Sequence, residues 1–258
     1  MNALLLAAAF SLYTGAARSE PPDARRSGAA ETAAATPTGA AAAAIRTIDF
    51  SGHRWTVKNS GAALWGPGPN VFSDAAANVW VDTQGRLHLA ITNDNGVWKS
   101  AEVISQTSFG YGTYRFTLET DVAGLDPNVV LGLFTWNDNA AFYHREIDIE
   151  FARWGNRLDT TNAQYTVQPY TQAGNELRWA LPTGYVNSTH SFVWSSRSVV
   201  FNSSSAGNPL QRWRFTRRAG VPPAGGENAR MNLWLFQGAA PQNGVPAEVI
   251  VSKFEFLP

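Results

Sequence analysis

The chain has 258 residues, 44% hydrophobic and 16% charged, enough for one sizeable domain with a buried core. Twenty basic residues balance twenty acidic ones and no basic stripe stands out, which argues against nucleic acid as a partner and suits a neutral polymer. Cysteine is absent, which excludes disulfides, thiolate catalysis, Cys-based metal sites and a Cys-linked lipid anchor. In chain order, residues 3–17 form an Ala/Leu-rich apolar run with the small residues Gly15 and Ala17 at its end. This is the pattern of a secretory signal peptide over 1–17, although no Lys or Arg precedes the run. The run is too short for a membrane-spanning helix, which takes about 20 residues. The expectation is therefore export, to the periplasm or outside the cell, with no membrane attachment after cleavage. Residues 18–45 are rich in Ala, Thr, Pro, Gly, Ser and charge and read as a disordered linker. The folded domain is expected over 46–258.

Within that domain the signals are short strands and turns. Arg86–Thr92 alternates, with Leu87, Leu89 and Ile91 on one face. Thr113–Thr120 sets Tyr114, Phe116 and Leu118 against Arg115, Thr117 and Glu119. Val129–Trp136 is a continuous apolar run, as expected of a strand covered on both sides, and Ser191–Phe201 and Met231–Phe236 read the same way. Asp94-Asn95-Gly96, Asp126-Pro127 and Gly207-Asn208-Pro209 punctuate the runs. No long segment has a helical period, and no internal repeat is present. The pattern is that of an all-β sandwich or barrel.

The most informative stretch is Arg145-Glu146-Ile147-Asp148-Ile149-Glu150-Phe151. In a strand, Glu146, Asp148 and Glu150 share one face and Ile147, Ile149 and Phe151 the other. Three carboxylates in a row repel one another and are costly to cover, so fold stability does not favour them; acid/base and nucleophilic chemistry on a sugar does. Strand residues i and i+4 lie about 13 Å apart at Cα, a gap that leaning side chains and strand twist can narrow. Carboxylates about 5–5.5 Å apart suit retaining glycoside hydrolysis, and about 6.5–9.5 Å inverting hydrolysis. The spacing permits the retaining case and does not select it.

This stretch resembles the Glu-x-Asp-x-Glu signature of family 16 glycoside hydrolases, in the unbulged form of bacterial lichenases and laminarinase-like endo-β-glucanases. Further resemblances run along the domain: Ala101-Glu102-Val103, Phe109-Gly110-Tyr111-Gly112-Thr113-Tyr114, Leu133-Phe134-Thr135-Trp136, Gln164-Tyr165, His190-Ser191-Phe192-Val193-Trp194, Met231-Asn232-Leu233-Trp234, and Ala247-Glu248 through Lys253-Phe254. The resemblance implies a β-jelly-roll sandwich of two curved antiparallel sheets, lectin-like in form, with substrate on the concave face. It implies Glu146 as nucleophile, Glu150 as general acid/base and Asp148 between them, one carboxyl being held protonated near neutral pH. It places Asn232, Trp234, Trp136, Glu102 and Gln164 against substrate. The bland readings are a two-sided buried strand for Asn232 and Trp234 and a solvated Glu102. Trp154 and Arg153 follow the motif, either rimming the cleft or covering the sandwich edge. His144-Arg145 replaces the Trp-Asp usual in lichenases, and Ile104 stands where those enzymes carry a sugar-contacting Arg. Both departures loosen mixed-linkage specificity. Ile250 stands where the closing strand often supplies an Asp to a structural calcium, so no cofactor is expected to be required and that ion lacks a usual ligand.

His53, His88, His144 and His190 are scattered without metal-ligand spacing, so no metal site is expected. The three acids as a calcium site lack the loop oxygens such an ion takes. Most of the ten Trp belong to core packing, with some left for stacking on sugar rings. The expectation is a secreted, monomeric, retaining endo-β-glycosidase acting on a β-1,3- or β-1,3-1,4-glucan. The alternatives are a lectin-like jelly roll that binds polysaccharide without cutting it, and a transglycosylase on the same scaffold.

Overall fold

A computed structural model describes residues 45–258. The expected signal segment, and all but the last residue of the expected linker, lie outside the described residues. The strands, in chain order, are β1 (Thr47–Phe50), β2 (His53–Val57), β3 (Val71–Phe72), β4 (Val79–Val81), β5 (Leu87–Asp94), β6 (Val97–Ser105), β7 (Gly112–Leu118) and β8 (Val129–Trp136). There follow β9 (Ile147–Phe151), β10 (Ala163–Val167), β11 (Glu176–Trp179), β12 (Ser188–Ser195), β13 (Ser198–Ser205), β14 (Asn208–Phe215), β15 (Asn228–Leu235) and β16 (Ala247–Leu257). Among the described residues the helices are single 3-10 turns, and none is long and apolar enough to cross a membrane.

Hydrogen bonding runs β11-β10-β9-β8-β15-β6 in one sheet, continued by β2 and β1, and β5-β16-β7-β12-β13-β14 in the other. The two meet where β5 and β6 form a hairpin. Asn95 and Gly96 both take positive φ there, which matches the right-handed twist of the flanking strands. The sheets pack face to face as a jelly-roll sandwich. Leu87, Leu89, Ile91, Tyr114, Phe116 and Leu118 from one sheet meet Ile147, Ile149, Phe151 and Met231 from the other, all fully buried. The alternation in these strands thus points to the core as expected, and β8 is buried on both faces over nearly all its length.

Two boundaries differ from expectation. Ser191–Phe201 is not one strand but the hairpin of β12 and β13, turning at Ser196-Arg197, where the Ser195 hydroxyl accepts from the Ser198 amide at 3.2 Å. The turn contains neither Gly nor Pro, and apolar residues flank it closely, so the run looked continuous. The break expected at Gly207-Asn208-Pro209 lies one residue earlier: Ala206 and Gly207 make the turn with positive φ, and Asn208 and Pro209 begin β14.

A polar chain crosses the core. Tyr165 on β10 donates its hydroxyl to Ser203 Oγ on β13 at 2.6 Å, and Ser203 Oγ lies 2.7 Å from His190 Nδ1. His190 Nε2 is 2.8 Å from Ser188 Oγ, and the ring meets Phe151 edge-on at 4.7 Å. Burial pushes the His190 imidazole down from 6.5 to about 3. It is neutral in the fold and charges only in the unfolded chain as pH drops below the ordinary value. Its contribution to stability is complete above that value and is lost as pH falls toward the folded pKa, at up to about 1.4 kcal/mol per pH unit. The parent's unfolding free energy minus that of His190→Asn, measured by urea titration, is expected to decline by about 1 kcal/mol per unit between about pH 6 and 4. A difference that stays flat over this range contradicts the assignment.

Candidate active site

The register of the first sheet builds the site. Glu150 on β9 pairs with Gln164 on β10, which pairs with Arg178 on β11. On the other side Glu150 pairs with Gly132 on β8, Gly132 with Asn232 on β15, and Asn232 with Glu102 on β6. Cross-strand partners share a face, so these residues form one polar row. The neighbouring row, Tyr165, Ile149, Leu133, Met231 and Val103, is the core side, fully buried. Burying Ile147, Ile149 and Phe151 contributes roughly 1.5–3 kcal/mol each, which offsets the cost of covering acids on the reverse face.

That cost is real, because the acids are less open than an exposed acidic face implies. Asp148 is 3% exposed and Glu150 8%, while Glu146, just ahead of β9, is half-buried. Each buried acid receives an amide. Gln164 Nε2 donates to Glu150 Oε2 at 2.7 Å, and Gln168 Nε2 donates to Asp148 Oδ2 at 3.0 Å. The Gln168 carbonyl accepts from the Tyr170 backbone N–H at 2.8 Å, so its amide group is held toward the acid. Hydrogen-bonded burial of a carboxylate is tolerable where unpaired burial is not.

Glu146 is delivered by an unusual turn. Phe142, Tyr143, His144 and Arg145 all have φ between 52° and 60°. Four successive left-handed residues cost roughly 1–2 kcal/mol each, and dense bonding holds them. Glu146 N donates to Tyr143 O at 3.2 Å, Asn137 N to His144 O at 2.7 Å, Thr135 Oγ1 to Arg145 O at 2.9 Å, and Arg145 Nε to Pro223 O at 3.0 Å. The turn leaves Phe142 and Tyr143 exposed.

The other sequence candidates fall on or near this face. Trp136 is half-buried, but His144 stacks on its ring at 3.9 Å, so one face of this expected sugar platform is covered. Trp234 is mostly buried against Phe72, Val130, Ala152 and Trp154. Trp154 lies on the acid side of the sheet, its Nε1 donating to Gln164 Oε1 at 2.9 Å. Arg153 instead braces backbone carbonyls of Ala123 and Leu125. Glu102 is not solvated: it is 1% exposed, with Lys58 Nζ at 2.8 Å and Arg230 Nη1 at 3.3 Å. Sequence reasoning missed Lys58, Gln168, Arg178 and Arg230. Only the alternation of Leu177 and Trp179 hinted that Arg178 faces the polar side. Among the described residues no group of His, Asp and Glu is arranged to hold a metal ion. Ile250 donates its N–H to Thr120 Oγ1 and accepts from Glu119 N, and its own side chain supplies no oxygen where the resemblance leads one to expect an Asp.

Asn232 packs over Gly132, and its Oδ1 has no hydrogen-bond partner although it is buried. A Cβ at position 132 would stand 2.5 Å from that oxygen. Gly132→Ala is expected to push the Asn232 amide aside and to cost about 1–3 kcal/mol of fold stability. Urea titration checks this, and Asn232→Ala, which removes the colliding oxygen, should recover part of the loss in the Gly132→Ala background.

No family model matches the chain, and no curated protein matches it. Solved structures do. A Bacillus licheniformis β-glucanase is 20% identical with a TM-score of 0.59, over 79% of this chain and 92% of that one. A family 16 endo-glucanase from Bacteroides ovatus, in complex with G4G3G-2F-DNP, is 13% identical with a TM-score of 0.60, over 79% and 94%. A protein of Mycobacterium tuberculosis described as an immunostimulatory antigen and pseudo β-1,3-glucanase is 20% identical with a TM-score of 0.57, over 77% and 88%. At these identities the likeness is one of architecture, and by it residues 45–258 carry the jelly roll seen in β-glucanase structures.

Proposed function

We propose that the chain is a secreted retaining endo-β-glycosidase acting on a β-1,3- or mixed β-1,3-1,4-linked glucan, and a member of the family 16 hydrolases its motifs resemble. The observation that supports this most is the buried pair Asp148 and Glu150, each fixed by a glutamine amide, with Glu146 set beside them by a strained turn. Strain and buried acids on one strand are costly for folding and useful for chemistry. Export rests on the apolar run at 3–17.

In this reading Glu146 attacks the anomeric carbon while Glu150 gives its proton to the departing glycosidic oxygen. The covalent glycosyl ester then yields to water, whose proton returns to Glu150 as Glu146 leaves. Asp148 lies between them and disperses the charge on Glu146. Asn232 Oδ1 is buried and unpaired, so its side chain has to turn outward before it accepts from a sugar hydroxyl. Trp136 and Trp154, both half-buried, offer single faces or ring edges, while Trp234 and Glu102 lie buried beneath and brace the row.

The purified protein is expected to release oligosaccharides from laminarin or lichenan on a panel that also contains agar-type galactans and bacterial exopolysaccharides. Glu150→Gln should lower turnover about 10²–10⁴-fold, Glu146→Gln at least as much, with polysaccharide binding retained. Azide should rescue Glu146→Ala as the α-glycosyl azide and Glu150→Ala as the β-anomer; the reverse pattern exchanges the two roles. The pseudo β-1,3-glucanase of like fold favours one second reading, a polysaccharide-binding jelly roll. Tight binding across the panel with no product from the parent protein establishes that reading instead.

A further inference from the structure

Arg178 lies two strands from the acids and has not entered the chemistry so far. Its guanidinium is anchored on four sides. Nε donates to Thr161 Oγ1 at 2.9 Å, and Nη2 to Asp159 Oδ2 at 2.9 Å, Thr161 O at 3.0 Å and Ala152 O at 3.3 Å. The remaining nitrogen, Nη1, donates to Gln164 Oε1 at 2.7 Å. The same oxygen accepts from Trp154 Nε1 at 2.9 Å.

These two contacts decide which way the Gln164 amide points. Guanidinium and indole N–H groups donate and never accept. An amide flipped end for end would set its NH2 against both donors. The carbonyl is therefore fixed toward Arg178 and Trp154, and the NH2 toward Glu150 Oε2 at 2.7 Å, with Thr166 Oγ1 at 3.3 Å. An N–H aimed at Oε2 stabilises the ionised form of Glu150. With that N–H on Oε2, the proton is favoured on Oε1 when the group is an acid.

We propose that Arg178 is a positioning residue for Glu150, locking the Gln164 carboxamide so that Glu150 always receives a donor on Oε2 and carries its acid proton on Oε1. The consequence for catalysis rests on the reading of Glu150 as general acid/base. Asp159 neutralises Arg178 at 2.9 Å, so the influence on Glu150 passes through the amide's orientation and not through a bare positive field. Partial burial pushes the Asp159 carboxyl up, but hydrogen bonds from Thr161 and the Arg178 charge outweigh it and hold the group below its ordinary value. Without Arg178 only the indole N–H opposes a flip. The flipped carbonyl would accept from protonated Glu150 and favour that form.

The test is a titration of Glu150 by carbon NMR of glutamate-labelled protein, with Glu150→Gln as the assignment control. Arg178→Met should raise the Glu150 midpoint by about 0.5–1 pH unit, Arg178→Lys by less, and Arg178→Met should add nothing further in the Gln164→Leu background. On lichenan, the alkaline limb of kcat/KM should move up by the same amount in Arg178→Met, with kcat falling more than KM changes. An unmoved Glu150 midpoint in Arg178→Met that retains the parent's circular dichroism overturns the proposal. If that variant loses its fold, an unmoved midpoint in Trp154→Phe/Arg178→Lys does so. A midpoint that moves in a protein inactive on every polysaccharide leaves the lock standing and defeats the hydrolase reading instead.

Discussion

A carboxylate removed from water must be met by a donor, and this requirement organises the site. Asp148 and Glu150 sit on a central strand with the core at their back, so they cannot turn toward solvent without dragging Ile147, Ile149 and Phe151 out of the sandwich. The donors are Gln164 on the neighbouring strand β10 and Gln168 just past its end, four residues apart. Each glutamine carbonyl is in turn held by a group that only donates: an indole and a guanidinium for one, a backbone amide for the other. The acids are oriented by a second layer that tolerates only one arrangement of its own atoms.

The core face of these strands is held as firmly as the polar face. Tyr165 stacks on Phe201 at 4.8 Å and bonds to Ser203, while Phe151 meets His190, so the two strands bearing acids and glutamines are tied to the opposite sheet by both packing and polar contacts. At the other end of the row, Lys58 and Arg230 flank the buried Glu102, a charge that would be costly if either cation were removed. Between the ends lies Gly132, where a side chain would collide with Asn232. The row is thus charged at its edges, acidic at β9, and without a side chain at β8.

Much of this was legible because strand alternation is local. The assignment of Leu87, Leu89 and Ile91, of Tyr114, Phe116 and Leu118, and of Ile147, Ile149 and Phe151 to the core needed only a period of two. The acidic motif was visible for the same reason. What the alternation lacks is register: nothing near Glu150 says that Gln164 pairs with it or that Arg178 stands one strand beyond, because those pairings depend on the lengths of the connecting segments. Turns without Gly or Pro, such as Ser196-Arg197, were hidden inside an apolar run. Surroundings were hidden as well: Glu102 reads equally as a substrate contact or a solvated acid until Arg230 is placed beside it, and Trp136 as an open ring until His144 is stacked on it.

The left-handed segment from Phe142 to Arg145 bears on how this region can change. Its shape is sustained from outside, by Thr135, Asn137 and Pro223, and not by the preferences of its own residues. Exchanging Phe142 or Tyr143 therefore alters an aromatic at the rim without reshaping the entry to β9, whereas the side chains of His144 and Arg145 are themselves among the anchors. Replacing the whole stretch together with its three anchors is what would move Glu146. Diversification here should proceed by block transfer, with the rim aromatics free to vary singly and the backbone path inherited intact.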